Sequence, residues 1–343
     1  MRVERCTEAH RSDWNLFVSA SAAASFYHRF EWQEINRLCF GHSSCYLGVY
    51  DDNDVLTGVF PVVHVKSRLF GDLACSMPFV NYGGPCATSE EAEHRLLAEA
   101  RRVAEEWDVE FLEIRSRHHL GPEFPTSEHK VSMTVELDRD ADLLWRGFKT
   151  DHRRDIRRGY KRGFVARFGQ ADLLDDFYAV LAEAWRDMGT PIYRKRYLQA
   201  VVAAFPAHAR LCVVYDGREP AAASFQAYHG DTAEGLWLGT RARYRDQFAG
   251  YVLYWEILKD AAGHGCRRFH LGRSTVQSGG EAFKRKWNAI PHQLYWQYVL
   301  RRRPDMPRIN VTNPKYQLAM WAWRHLPVAL TTRVGPPIAG GIP

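Results

Sequence analysis

From Gly250 to Ala262 the chain is almost wholly apolar. It then passes through Phe269-His270-Leu271, the turn Gly272-Arg273-Ser274, and Phe283-Lys284-Arg285-Lys286-Trp287. Tyr251, Tyr254, Trp255, Leu258 and Ala262 recur at helical spacing, and Val252, Leu253 and Ile257 widen the stripe nearly round the cylinder, so the segment predicts a buried helix. A buried helix feeding a short strand, then a loop with Arg and Lys, is how an α/β protein builds an anion-receiving pocket at a strand's carboxyl end. Phe283 and Trp287, four apart, share a face of the following helix, and their packing sets the direction of Lys284. Its ammonium is then placed to stabilise the oxyanion formed when an amine attacks an ester or thioester, an effect of ~3 to 4 kcal/mol for one aimed donor. Lys284, Arg285 and Lys286 equally fit a solvated patch on an ordinary helix.

The other elements read as two passes of one order. The first has a strand near Val3, helices over Trp14–Ser19 and Phe30–Phe40, and strands over Cys45–Tyr50 and Val55–Lys66. A helix over Glu90–Trp107 and strands over Val109–Ile114 and Val131–Leu137 complete it. The second has helices over Asp142–Lys161, Asp172–Asp187 and Arg194–Ala204, then strands over Arg210–Tyr215, Pro220–Tyr228 and Ala233–Gly239. The Gly250 helix, the strand through Leu271 and a last strand over Gln293–Leu300 close it. Arg301–Pro307 reads as a linker to a helix over Lys315–Arg324, and the Pro-Gly-rich residues after Pro327 read as loosely held. The fold expected is α/β with mixed sheets.

At 343 residues and 46% hydrophobic, the chain can bury one large core or two smaller ones, and two lobes are expected. No apolar run approaches the ~20 residues of a membrane span, and Met1–Arg11 lacks the apolar core of a signal peptide, which predicts a cytoplasmic protein. Seven cysteines without a Cys-x-x-Cys pair read as reduced thiols, with neither zinc nor a disulfide framework. The net charge of +6 is local: Arg146–Phe168 carries +7, Phe283–Arg308 carries +6, and the remainder sums to −7. Along the first window the like-charge i,i+4 pairs cost roughly 1 to 2.5 kcal/mol together, offset partly by Asp151 with Arg154 and Asp155 with Arg158. A polyanion would offset the rest: tRNA phosphates, an anionic lipid surface at the inner face of the membrane, or a pyrophosphate-linked sugar. A solvated helix that tolerates its own repulsion is the alternative.

Several patterns together resemble the FemAB-like branch of the GNAT acyltransferase superfamily. They are Tyr82-Gly83-Gly84 after Met77-Pro78-Phe79-Val80-Asn81, the basic run Lys149–Gly163, and Leu253–Arg273 followed by Phe283-Lys284 and Trp287. The tail Asn313-Pro314-Lys315-Tyr316, Trp323, Leu326-Pro327 and Gly335-Pro336 is similar to FemAB-like proteins found with exosortase and exopolysaccharide genes. The resemblance implies two tandem GNAT-like lobes with a cleft between them: 1–138 on the acceptor side, 139–309 on the donor side, and a C-terminal helix and tail, 310–343, packed back on the lobes. It implies transfer of an aminoacyl group from aminoacyl-tRNA to an amine of a cell-wall, exopolysaccharide or small-molecule acceptor, with Phe283 and Lys284 at the reacting centre and no metal or other cofactor. There is no room between Asp142 and Phe164 for the long helical arm of some peptidoglycan-acting members.

Acetyl-CoA-dependent GNAT enzymes hold pyrophosphate at a glycine-bearing turn before the crossover helix. Here that turn is Arg243–Gly250, where Asp246 brings negative charge and Phe248 brings bulk, which argues against CoA. Arg153, Arg154, Arg157 and Lys161 would then meet tRNA phosphates, contacts that position without reading sequence. Arg273 and Ser274 are candidate substrate contacts, or alternatively a surface ion-pair residue and a turn hydroxyl. Asn81, Tyr82 and Gly83 line the acceptor site or form a tight turn, and Trp237 and Tyr193 wall the site or belong to the core. Glu256, His270 and Tyr82 are the possible bases, none of them assigned. An acyl-CoA-dependent N-acetyltransferase acting on an amino sugar and a non-catalytic polyanion-binding module are the competing functions.

Overall fold

Nearly continuous apolar runs in Leu56–Ser67 and Glu219–His229 build the two long strands around which the helices pack. The computed structural model describes residues 1–307 and 314–342, with side chains except at 314–316. Asn313 and the side chains of Pro314, Lys315 and Tyr316, part of the tail pattern above, lie outside the described residues. The chain forms two compact units, one of Met1–Val131, His292–Arg308 and Gly340–Pro343, the other of Ser132–Pro291 and Ile309–Ala339.

In the first unit the order is β1 (Arg2–Cys6), α1 (Arg11–Ala20), α2 (Trp32–Phe40), β2 (Ser43–Tyr50), β3 (Leu56–Ser67), β4 (Gly71–Cys75), β5 (Cys86–Ala87), α3 (Glu90–Glu106), β6 (Phe111–Ser116) and the start of β7 (Thr126–Glu136). β1 to β4 are antiparallel neighbours, and β4 pairs parallel with β6 after the crossover through α3. Ser89 caps α3 by accepting from the Ala92 N–H at 3.2 Å, and Leu96, Leu97, Ala100 and Val103 pack on Leu47, Phe60, Val62 and Leu112.

The second unit repeats the scheme with α4 (Ala141–Gly147), α5 (Thr150–Lys161), β8 (Val165–Gly169), α6 (Leu174–Met188), α7 (Lys195–Ala204), β9 (Ala209–Asp216), β10 (Glu219–His229), β11 (Thr232–Thr240), α8 (Ala242–Arg245), α9 (Ala249–Gly263), β12 (Arg268–Thr275) and α10 (Gly279–Arg285). β8 to β11 are antiparallel neighbours and β11 pairs parallel with β12 after the crossover through α9. β13 (Ile290–Leu300) pairs with β6 in the first unit, and α11 (Pro314–Arg324) and α12 (Val328–Ala339) belong to the second. Each unit thus has antiparallel strands, a crossover helix and a parallel strand in the same succession.

Five features differ from the reading of the sequence. The last strand, read as closing the second pass, belongs to the first unit because it pairs antiparallel with β6. The single helix over Asp142–Lys161 is two, because Phe148 and Lys149 are extended and Phe148 turns inward against Trp255 and Trp287. Gly272-Arg273-Ser274 is no terminal turn: β12 runs on to Thr275, with Gly272 at φ +75° inside it. β4 and β8 do not follow from the hydrophobic pattern. The tail after Pro327 forms α12, whose Gly335 lies against Trp323 and Ile192.

Candidate active site

α10 is a short helix fixed at both ends. Ser278 caps it by accepting from the Glu281 N–H, and Glu281 in turn accepts from the Gln277 N–H at 2.7 Å and from Arg285 Nε at 2.8 Å. Its packing face carries Phe283, edge-on to Tyr251 and Tyr254 of α9 at centroid distances of 5.7 and 5.2 Å. Trp287 follows the helix end, fully buried and stacked on Tyr254 at 5.3 Å. Lys284 is thereby turned inward and left 9% exposed. Its Nζ donates to the Gly272 carbonyl at 3.0 Å and to the Arg273 carbonyl at 2.8 Å.

An ammonium has three protons, and among the described residues the third has no protein acceptor. The electrostatics are opposed. Burial, then the neighbouring Arg273 cation, push the Lys284 ammonium down to about 8, and Glu234 works the other way. At neutral pH the group is still mainly a cation, held by two carbonyl dipoles and poorly solvated, which is the condition under which one donor acts strongly on developing negative charge. Glu234 is buried on β11 beside His270 of β12, and His270 Nδ1 lies 3.0 Å from Ser132 Oγ. Ser274 is buried and Arg273 half-buried at the same end of β12.

The basic helix α5 lies on α9 through His152, Ile156 and Gly159. A Cβ at Gly159 would stand 2.5 Å from Val252 Cγ2 and 2.9 Å from the Phe248 carbonyl oxygen, so only glycine permits this approach. His152 sits against Trp287 at 4.3 Å, Phe148 and Tyr251, and neither of its ring nitrogens has a partner among the described residues. Burial pushes its imidazole down to about 4, so it is neutral at physiological pH. On the outer face, Asp155 pairs with Arg158 at 3.4 Å and Arg154 at 3.8 Å, Arg157 lies over Trp145, and Arg158 over Phe248. Arg154, Arg157 and Lys161 are exposed and Arg153 half-buried. Asp151 accepts from the His152 backbone N–H rather than pairing with Arg154. Phe248, which precedes α9, has φ +70°, an uncommon conformation for a bulky side chain.

Lys284, Phe283, Arg273, Ser274 and the α5 cations all belong to the second unit. Trp237 belongs there too, enclosed by Phe225, Tyr197 and Tyr193 on the sheet. Asn81, Tyr82 and Gly83 belong to the first unit, in the loop after β4. Buried Arg115 organises that loop: its guanidinium donates to Glu113 at 2.7 Å and to the Val80 carbonyl at 3.0 Å, while its own carbonyl accepts from the Gly83 and Gly84 N–H groups. Tyr82 lies under Arg117, with the guanidinium 4.9 Å from the ring centre, at a cavity of about 90 Å³ also lined by His28, Gly84 and His118. Of the three possible bases, Glu256 is engaged by Lys259 at 2.8 Å and by the Tyr160 hydroxyl, and His270 by Ser132.

Glu234 and Ser132 escape sequence reasoning. Neither stands in a pattern that marks a site, and only strand pairing brings them to His270.

Two α/β units, each built around a crossover helix and a parallel strand, define a GNAT-type fold. Residues 146–285 match the acetyltransferase (GNAT) domain family. No curated protein matches the sequence. Among solved structures the chain is similar to FemX, with a TM-score of 0.71 at 15% identity, covering 93% of this chain and 100% of that one. It is similar also to a tandem GNAT protein from the clavulanic acid biosynthesis pathway (TM-score 0.56, 11% identity, 89% and 100% covered). A third is the C-terminal domain of a putative lysylphosphatidylglycerol synthetase from Agrobacterium fabrum (TM-score 0.56, 11% identity, 92% and 94% covered).

Proposed function

We propose that this protein is an N-acyltransferase that moves an aminoacyl group from aminoacyl-tRNA to an amine of a cell-wall, exopolysaccharide or small natural-product acceptor. The observation that carries the reading is Lys284: a buried cation, held by two carbonyl oxygens and with one proton uncommitted among the described residues. In the reaction the neutral amine bonds to the ester carbon and the carbonyl oxygen becomes an oxyanion facing Lys284. The bond to the ribose oxygen then breaks, and that oxygen takes the proton which the amine gives up. Phe283 keeps Lys284 in place through α9, while Arg273 and Ser274 contact the substrate. Arg153, Arg154, Arg157 and Lys161 meet acceptor-stem phosphates, and Asn81, Tyr82 and Gly83 belong to the acceptor's site. Likeness of fold to FemX, over 93% of this chain and all of that one, supports the reading.

An acyl-CoA donor is the second reading, favoured by the GNAT-domain match over residues 146–285. Against it stand Phe248 and Asp246 in the turn before α9, where backbone N–H groups would have to reach a diphosphate. A non-catalytic polyanion binder is the third, and it gives Lys284 no work. The discriminating experiment incubates the protein with a panel of charged tRNAs and candidate amines, alongside acetyl-CoA calorimetry. Lys284-dependent deacylation with no saturable CoA binding is expected. CoA binding with CoA-dependent transfer selects the second reading. Phosphate-dependent binding with neither activity selects the third.

A further inference from the structure

The two C-terminal helices present the same unusual outer face. On α11, Met320 and Trp323 point toward Gly189 and Gly335. The opposite stripe of Leu318, Trp321, Ala322 and His325, spaced i, i+3, i+4 and i+7, is exposed, with Leu318 at 66% and Trp321 at 58%. α12 repeats the spacing with Leu330, Arg333, Val334 and Pro337, leaving Leu330 42% and Val334 41% exposed. Large apolar side chains repeated along two outward faces mark an interaction surface rather than the scattered exposure of an ordinary one. Along this part of the sequence the charge is of one sign. Asp305 is the last carboxylate side chain in the sequence, and the 38 residues after it carry Arg308, Lys315, Arg324 and Arg333 against no Asp or Glu.

Apolar and Trp side chains facing outward, with Arg324 and Arg333 exposed on the same two helices, are the composition of a helix that lies in a membrane interface, with its rings at headgroup level and its cations on lipid phosphates. No helix among the described residues is long and apolar enough to cross a membrane, so the contact is peripheral. A second copy of this chain is the poorer occupant, because a two-fold contact between identical faces would set these cations against one another. From these observations, which are independent of the acyl-transfer reading, we propose that the outer faces of α11 and α12 dock the protein on the surface of an anionic phospholipid bilayer.

The test is co-sedimentation of the full chain with vesicles of phosphatidylcholine alone and of phosphatidylcholine mixed with phosphatidylglycerol. Circular dichroism on every variant establishes that it is folded. Binding to the mixed vesicles only is expected, weakening as salt is raised. Leu318→Glu with Trp321→Glu should abolish it, and Arg324→Gln and Arg333→Gln should each lower partitioning roughly fivefold. Absence of binding to the mixed vesicles at low salt overturns the proposal. So does binding that survives Leu318→Glu with Trp321→Glu but disappears on charge reversal at Arg154 and Arg157, which would move the membrane contact to α5. Trp321-dependent dimerisation in sedimentation velocity, with no vesicle binding, would assign the face to a second copy instead.

Discussion

Lys284 is an ammonium withdrawn from water, and that sets its pH behaviour. Its folded pKa of about 8 lies below the ordinary 10.5, so between these values the unfolded chain holds the proton and the folded one does not. Stability attributable to this residue therefore rises as pH goes from 8 to 10.5, by on the order of 3 kcal/mol, and is flat below 8. Chemical denaturation at pH 8 and pH 10 checks the sign: wild type gains on Lys284→Met over that interval. If Lys284 stabilises an oxyanion, activity runs the other way: the rate should fall as pH passes upward through about 8. The inward turn of Lys284 is legible in the sequence from Phe283 and Trp287, although Trp287 falls just past the helix end. Glu234 and Ser132 are not legible, since they meet His270 only through pairing of strands far apart in sequence.

Between elements, the tightest constraint is the approach of α5 to α9 at Gly159. Gly159→Ala forces a methyl against the Phe248 backbone carbonyl, which cannot swing aside, and the expected loss is about 1 to 3 kcal/mol, read as a lower melting temperature. His152 gives α5 a second signature. Its folded pKa of about 4 is below the unfolded value near 6.5, so the unfolded chain takes the proton first as pH falls through that window, and the fold weakens. His152→Phe keeps an aromatic ring in the cluster and removes the proton site. It should narrow the gap in stability between pH 7 and pH 4.5, by on the order of 1 kcal/mol once residual solvent screening is allowed for. The bounds of α9 follow from its apolar run to within a residue or two. The break at Phe148 does not, because its cause is tertiary: a ring drawn inward to Trp255 and Trp287 at the cost of helical continuity.

Across the molecule, one order of strands and crossover helix occurs twice, and this duplication is visible in the order of elements along the sequence. The charge distribution is equally plain, and α5 presents Arg154, Arg157 and Lys161 to solvent. If tRNA phosphates meet them, replacing the three by Gln should weaken binding to all tRNA species alike. It should also flatten the dependence of log K on log salt by roughly 0.7 to 0.9 for each phosphate no longer neutralised. A filter-binding titration across a salt series reads both. The tail differs from its expectation because Pro and Gly in Gly335-Pro336-Pro337 suggest loose chain, whereas packing of Gly335 on Trp323 holds α12 in place.

If the buried ammonium stabilises the transition state, its removal must show in the chemical step, which single-turnover transfer from charged tRNA reads by comparing wild type with Lys284→Met. A fall of roughly 10² to 10³ in rate with tRNA affinity preserved is the predicted result. Lys284→Arg should not restore it, because a planar guanidinium does not fit two convergent carbonyls as a compact ammonium does. Equal rates for wild type and the folded Lys284→Met variant would contradict this role for Lys284.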